Sequence, residues 1–157
     1  MELAELRKID PFEFEEYIAT IYEGWGYQCR VTKGQGDYGA DIIAENDEEK
    51  LAIQVKRYSQ KHKVKIEDVY PVHSAKDFYD CDRAVLVATS DLTYNASILA
   101  GSLGIEIITG QELEAITTNS NEIDNVVEDE SRLTFSTTEK LAVSLWLLIF
   151  IVSVYIF

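Results

Sequence analysis

The sequence predicts an α/β protein, a central sheet covered by helices, followed by a single C-terminal transmembrane helix. Short apolar runs of strand length alternate with amphipathic stretches of helix length. The predicted order α-β-β-β-α-β-α-β-α gives an antiparallel meander first and crossover connections later. The membrane helix is predicted because the last seventeen residues of the sequence, 141–157, contain no charged side chain.

The first helix has clear start and stop signals. Asp10 is a good N-cap, Pro11 suits the first helical position, and Gly24 and Gly26 are expected to supply the stop. Helical spacing predicts a buried stripe of Phe14, Ile18, Ile21 and Trp25. Glu16 lies opposite this stripe and should face water. Glu15 falls on the border between the two faces, so it is a candidate site residue, with an ordinary surface carboxylate as the alternative.

A predicted hairpin of residues 36–44 and 51–58 carries the candidate chemistry. Because alternate residues of a strand share a face, Gln54 and Lys56 lie on one side of the second strand. Asp41, near the start of the first strand, comes close to the end of the second. A carboxylate, an amide carbonyl and an ammonium would then meet, and could hold a hard divalent cation. The alternative is a buried Asp–Lys ion pair with the glutamine bonded to the backbone.

The remaining elements follow from local patterns. A strand is predicted at 27–32, before the hairpin, and helical character covers 64–79. Pro71 should kink that helix or begin a second one. The later predicted elements are a strand at 83–89, a helix at 93–103, a strand at 104–109 and a helix at 111–116.

Charge is distributed unevenly along the chain. The 28 acidic and 14 basic residues give a formal net charge of −14, which would disfavour nucleic acid if spread evenly. However, residues 56–65 contain five basic side chains, one histidine and no acid. Clustered cations bind phosphates by releasing counterions. The candidates for contact with a nucleic-acid backbone are therefore Arg57, Lys61, Lys63 and Lys65, with a solvated loop as the alternative.

Several other kinds of site are excluded by the sequence. Cys29 and Cys81 have no paired spacing, which excludes a zinc ribbon and a disulfide framework, and both are predicted to be packing residues. His62 and His73 are isolated, and no Ser/His/Asp pattern accompanies them; His73 is expected to be structural. The glycine-rich segment 34–39 lacks the Gly-Lys-Ser/Thr of a P-loop.

These motifs resemble the catalytic domain of Mrr-like restriction endonucleases, within the PD-(D/E)XK nuclease superfamily. The resemblance runs from about residue 11 to residue 113. It rests on Asp-x-Gly-x-Asp at 37–41 together with Gln-x-Lys-Arg-Tyr at 54–58. Residues 91–95 depart from the family pattern, which usually has a Phe-Thr-Pro-like turn there. The resemblance implies a restriction-endonuclease-like α/β/α sandwich with a central mixed sheet, and an endodeoxyribonuclease of the type II or type IV restriction class.

The resemblance also implies a role for each site residue. Asp41 and Gln54 would bind Mg²⁺, with Gln54 at the position of the superfamily's second carboxylate. Lys56 would assist the attacking water, and Glu15 would complete the metal site from the first helix. A Mg²⁺ held by few protein ligands keeps several waters and accepts a phosphate oxygen, which suits phosphodiester hydrolysis.

Three segments are predicted: a nuclease domain at 1–116, a flexible acidic linker at 117–139 and a transmembrane helix at 140–157. At 1.5 Å per residue the uncharged stretch spans roughly 25 Å, the short limit for crossing a bilayer. The alternative is an apolar helix docked on the domain, although a surface helix normally has a polar face. We expect a single-pass protein of the cell membrane with its nuclease domain in the cytoplasm.

Three functions are compatible with these features. The leading hypothesis is a membrane-tethered, Mg²⁺-dependent DNA endonuclease. The alternatives are a catalytically weak nucleic-acid-binding module on the same fold, and a structural membrane protein whose soluble domain binds protein. Asp41, Gln54 and Lys56 favour the first, because a pure binding module has no need of all three. The expected partners are DNA, the membrane and, as an assembly that the sequence leaves open, a second copy in a homodimer.

Overall fold

A mixed five-stranded sheet forms the centre of the domain. The computed structural model describes residues 2–32 and 38–118, and within them the strands lie in the order β1-β2-β3-β4-β5. The first three strands pair antiparallel, and β3, β4 and β5 pair parallel. The predicted meander with later crossovers is therefore confirmed. The strands are β1 Gln28–Val31, β2 Ile42–Glu45, β3 Lys50–Lys56, β4 Arg83–Ala88 and β5 Glu106–Ile108.

Helices cover both faces of this sheet. They are α1 Leu3–Leu6, α2 Pro11–Gly24, α3 Ile66–Phe78 and α4 Tyr94–Ser102, and residues 110–118 are also helical. On one face, α2 packs on a core that includes Ile42, Ile53 and Val55. On the other, α3 and α4 pack on Ala84 and Leu86. The result is the three-layered α/β/α arrangement. The four-residue α1 was not predicted.

Helix α2 begins as expected, but the aromatic residue that it buries in its last turn is not the predicted one. The Asp10 carboxylate accepts the backbone N–H of Phe12 at 2.9 Å. The prediction of a buried Trp25 is wrong, because the helix ends at Gly24 and the indole, 49% exposed, lies just beyond it. Tyr22 is buried instead, with the Trp25 ring edge-on at 4.9 Å. The buried helix stripe is Phe14, Ile18, Ala19 and Tyr22.

Helix α3 is a single helix with Pro71 inside it, so a second helix starting at the proline is wrong. Proline removes one backbone hydrogen bond, but the burial of Val69, Val72 and Ala75 favours a continuous helix. The loop before β2 crosses this helix at Gly39. A Cβ there would lie 2.3 Å from the carbonyl oxygen of Pro71, and Gly39 has φ +93°. Only glycine suits both conditions.

The linker from residue 119 onward and the predicted transmembrane helix at 140–157 lie outside the described residues. Residues 117 and 118, assigned to the linker from the sequence, are the last two residues of the described helical segment 110–118. No helix in the described ranges has the length and apolar character that a membrane crossing needs. The membrane anchor therefore stays a prediction from sequence.

Both cysteines pack against the core, as predicted. Cys29 is partly buried against the α2 side, and Cys81 is buried with Ala52 and Ala75. Burial raises the pKa of Cys29 to about 11, and it also raises the pKa of Cys81. Neither thiol has the lowered pKa typical of a reactive cysteine.

Candidate active site

The candidate site lies near the sheet edge where the parallel strands end. Ile42 of β2 pairs with Ile53 of β3, so Asp41, just before β2, comes level with Gln54. Asp41 is 8% exposed and Gln54 5% exposed, amid otherwise apolar strand residues. Polar side chains buried to this degree need partners, because an unpaired one would be strongly destabilising.

Asp41 is held through both its backbone and its carboxylate. Its backbone N–H donates to the carbonyl of Ile53 at 2.8 Å, and its own carbonyl accepts the N–H of Thr32 at 2.7 Å. Its Oδ2 accepts the backbone N–H of Val55 at 2.6 Å and also the side-chain amide N–H of Gln54. The carboxylate therefore continues the β2–β3 ladder beyond the end of β2 and is fixed beside β3.

The side-chain amide of Gln54 donates to this carboxylate, whereas the alternative interpretation bonded Gln54 to the backbone. A half-turn of the amide would present its Oε1 to the same region. A carboxylate oxygen and an amide oxygen are hard ligand atoms of the kind that Mg²⁺ prefers, so this set of metal ligands fits the ion. In the part of the chain that the structure describes, no three His, Cys, Asp or Glu side chains cluster as metal ligands.

Lys56 is the last residue of β3 and is partly exposed. Val55 packs on the α2 side of the sheet, so alternation places Lys56 on the opposite side, with Gln54. The two alternate residues are separated by roughly 7 Å along the strand. The hairpin thus brings Asp41 and Gln54 into contact, with Lys56 next on the same face, as its pattern predicted.

Glu15 occupies the border position on α2 that helical periodicity predicted. It is partly buried, whereas the neighbouring Glu16 is exposed. Helix α2 packs on the face of β3 that carries Val55, while Gln54 and Lys56 belong to the other face. A metal site that includes Glu15 would therefore combine ligands from both sides of the sheet.

The loop from β3 to α3 carries three exposed lysines beside this edge: Lys61, Lys63 and Lys65. The loop is anchored by buried Val64, whose N–H donates to the Asp91 carbonyl at 2.9 Å. The Lys65 ammonium lies 3.5 Å from the Glu67 carboxylate, but both are exposed and such pairs contribute little. A phosphate could therefore replace this carboxylate at little cost.

Arg57 is in a different environment from the lysines. It is partly buried, and one Nη donates to the Arg7 carbonyl at 2.6 Å. Its Nε is buried with no hydrogen-bond partner among the described residues. Arg7 in turn donates from Nε and Nη2 to the Thr89 carbonyl, at 3.1 and 2.8 Å. This arginine pair is far apart in sequence, so no local pattern could have indicated it.

The opposite edge of the sheet is acidic. Exposed Glu45, Asp47 and Glu48 lie at the β2–β3 turn, and exposed Asp82 precedes β4. A surface depression of about 490 Å³ lies beside this turn, lined by Gly26, Gln28 and residues 45–48. It is at the far end of the hairpin from Asp41, so it takes no part in the candidate site. The two edges of the sheet therefore differ in charge.

Comparison with protein families identifies the domain. The family model Mrr_cat, described as a restriction endonuclease, matches residues 6–117. The chain belongs to this restriction endonuclease family. The match includes Asp41, Gln54 and Lys56, and it confirms the resemblance inferred from the motifs. No curated protein shows significant sequence similarity to the chain.

Solved structures share the fold of this family member. The DNA modification-dependent restriction endonuclease AspBHI aligns with a TM-score of 0.64 and 20% identity over 76% of this chain and 35% of that protein. The MspJI restriction endonuclease, in complex with a 27-mer oligonucleotide, aligns with a TM-score of 0.53 and 17% identity over 73% of this chain and 30% of that protein. A protein of unknown function, AF1548, aligns with a TM-score of 0.55 and 15% identity over 64% of this chain and 58% of that protein. The chain thus spans between 30% and 58% of their lengths, and identities this low establish only the fold.

Proposed function

We propose that the chain is a Mg²⁺-dependent DNA endonuclease whose reaction is carried by Asp41, Gln54, Lys56 and Glu15. The observation that carries this proposal is the buried Asp41 carboxylate, bonded to Val55 N–H and the Gln54 amide, in a restriction endonuclease domain. DNA as the substrate is supported by the oligonucleotide in the MspJI structure and by the similarity to AspBHI, a DNA modification-dependent restriction endonuclease.

Each proposed role follows from the charge and position of the side chain. A Mg²⁺ held by Asp41, Gln54 and Glu15 would neutralise phosphate charge and acidify a water. The N–H of Val55 fixes the Asp41 carboxylate, so that its orientation is set before substrate binds. Gln54 adds a second ligand oxygen for the metal without adding negative charge. Lys56 brings a cation to the partly exposed strand end, where it can orient a water or stabilise charge on a phosphate.

The lysine loop supplies a surface for the DNA backbone. Lys61, Lys63 and Lys65 are exposed beside the site, and the acidic residues of the β2–β3 turn lie at the opposite edge. A polyanion is therefore attracted to the site edge even though the whole chain is acidic. Phosphate contacts of this type position the duplex without reading its sequence.

The proposal is tested by plasmid cleavage with the purified full-length chain. We expect nicking with Mg²⁺, none with EDTA, and none by Lys56→Ala. Lys50→Ala is the matched control, because Lys50 begins the same strand at its other end, where its ammonium donates to the Tyr79 carbonyl. Equal nicking by Lys56→Ala and wild type would contradict the catalytic assignment. DNA binding without cleavage by the wild type would favour a nucleic-acid-binding module.

We also propose that residues 140–157 anchor the protein in the cell membrane, with the nuclease domain on the cytoplasmic side. The support is their uncharged sequence, with Trp146 and Tyr155 suited to the interface. A flexible linker at 119–139 would reach roughly 25 Å, so cleavage would be confined to DNA near the membrane. Alkaline carbonate extraction of cell membranes tests this proposal. We expect full-length protein to stay in the pellet and a 1–139 truncation to be released, and release of both would contradict the anchor.

A further inference from the structure

We infer that Thr89 is a positioning residue for Lys56, an inference that rests on the proposed function. Thr89 follows β4 directly and is fully buried. Its backbone N–H donates to the carbonyl of Lys56 at 3.0 Å. This bond continues the parallel pairing of β3 with β4 at the point where β3 ends.

The Thr89 side chain holds the next part of the same segment. Its hydroxyl donates to the Tyr58 carbonyl at 2.7 Å and accepts the Tyr58 N–H, also at 2.7 Å. One buried threonine therefore fixes the backbone on both sides of Arg57. The hydroxyl uses its single O–H and one acceptor lone pair for Tyr58, so its loss would leave two backbone groups of Tyr58 without these partners.

Thr89 is itself braced from the amino-terminal side. Its carbonyl accepts two bonds from the Arg7 guanidinium, and the Arg7 carbonyl accepts an N–H from Arg57. The bonds form a closed network in which Thr89 holds residues 56 and 58 and Arg7 holds residue 57. Tyr58 has one more attachment, its phenol hydroxyl donating to the Asp68 carboxylate at 2.6 Å. The candidate lysine is thus the first of three consecutive fixed residues.

This network matters because Lys56 stands at the end of a strand, where fraying would displace a long side chain. A misplacement of about 1 Å can reduce a catalytic rate about 100-fold. The Asp41–Gln54 pair does not depend on Thr89, because Asp41 is fixed by Val55 and Ile53. Loss of the Thr89 hydroxyl keeps the backbone bond to Lys56 but releases Tyr58. It should therefore displace the lysine through the segment that follows it and leave the carboxylate pair in place.

The test compares Thr89→Val, which keeps the shape and removes the hydroxyl, with Thr89→Ser, which keeps the hydroxyl. In the full-length protein we expect Thr89→Val to lower kcat for DNA cleavage by about 10- to 100-fold with KM unchanged. Thr89→Ser should restore kcat to within about threefold. Thr20→Val is the control, because the Thr20 hydroxyl donates to the Tyr17 carbonyl on the exposed surface of α2. Full activity of Thr89→Val would overturn the inference.

A second measurement does not depend on cleavage. In reductively ¹³C-methylated protein with EDTA present, the NMR signal of Lys56 should move in Thr89→Val and return in Thr89→Ser, while that of Lys50 stays in place. An unmoved Lys56 signal overturns the inference, whether or not the wild type cleaves DNA. A wild type that fails to cleave contradicts only the proposed function. If Thr89→Val does not fold, Arg7→Lys is tested in its place, because lysine cannot make the bidentate hydrogen bond that the Arg7 guanidinium makes to the Thr89 carbonyl. A wild-type kcat and an unmoved Lys56 signal in that variant would equally overturn the inference.

Discussion

The carboxylate of Asp41 accepts the backbone N–H of Val55 at 2.6 Å, one residue before Lys56. Charge and hydrogen bonding can be separated here, because asparagine keeps an acceptor and alanine does not. We expect Asp41→Asn and Asp41→Ala both to lower cleavage at least about 100-fold. In urea denaturation, Asp41→Ala should lose about 1–3 kcal/mol more than Asp41→Asn, since it leaves Val55 N–H unpaired. Wild-type cleavage by Asp41→Asn would show that the charge is not needed.

Glu15 and Glu16 are adjacent acids with different exposure, which makes them a matched pair. Glu15→Gln should weaken Mg²⁺ binding or slow cleavage by at least about tenfold, in the range seen for groups that support a metal site. Glu16→Gln, on the exposed face, should change neither. Titration calorimetry with Mg²⁺ and plasmid nicking provide the two measurements. Indistinguishable behaviour of the two variants would assign Glu15 to the surface.

The three loop lysines should each contribute one phosphate contact. Single replacement of Lys61, Lys63 or Lys65 by alanine should weaken DNA binding similarly for all sequences. It should also reduce the slope of log K against log salt by about 0.9. Lys50→Ala, at the opposite edge, should leave the slope unchanged. Fluorescence anisotropy over a range of salt concentrations measures both quantities, and a loss confined to particular DNA sequences would contradict backbone contact.

Gly39, in the loop before β2, should be difficult to replace. Gly39→Ala places a Cβ against the Pro71 carbonyl at a residue with φ +93°, so we expect a loss of roughly 2–4 kcal/mol. Gly24→Ala is the control, because no atom lies within 4 Å of its Cβ position, and alanine favours helices. Thermal unfolding should separate them clearly. Equal melting temperatures would mean that the loop is not held on α3.

The Tyr27–Glu49 hydrogen bond should give a pH-dependent contribution to stability. The Tyr27 hydroxyl donates to the Glu49 carboxylate at 2.5 Å, and this bond, followed by the bond from Arg83, lowers the pKa of Glu49. A lowered carboxyl pKa stabilises the fold above the ordinary carboxyl range, and this effect is lost as the pH falls through the lowered value. The stability difference between wild type and Tyr27→Phe should therefore shrink from pH 7 to acid. Urea midpoints measure it, with Tyr94→Phe, 80% exposed in the wild type, as control. A difference that is constant with pH would contradict the assignment.

The hairpin and the Asp41–Gln54 contact could be predicted because they depend on short-range signals. Side chains alternate between the two faces of a strand, which assigns each residue of β3 to a face. The acidic turn between β2 and β3 sets their pairing. The order of strands also followed, since direct connections give antiparallel neighbours and helical crossovers give parallel ones.

Other features could not be predicted because they depend on contacts between distant parts of the chain. Pro71 remains inside α3 because of the core beneath it, which local propensity does not include. Trp25 lies outside the buried stripe because the helix ends at Gly24, one residue before it, and Tyr22 is buried in its place. The bond of Arg57 to the Arg7 carbonyl spans 50 residues, so its partial burial had no signal in the basic segment.

The strand pairing of β3 has a consequence for the order in which the domain assembles. Asp41 and Gln54 belong to one hairpin, whose contacts close over a short stretch of chain. The bonds from Thr89 to Lys56 and Tyr58 need the parallel partner β4, which follows only after α3. Non-local pairing of this kind forms more slowly than a hairpin. During synthesis the carboxylate–amide pair can therefore form before the lysine is held, and the two halves of the site coexist only once the chain has passed β4.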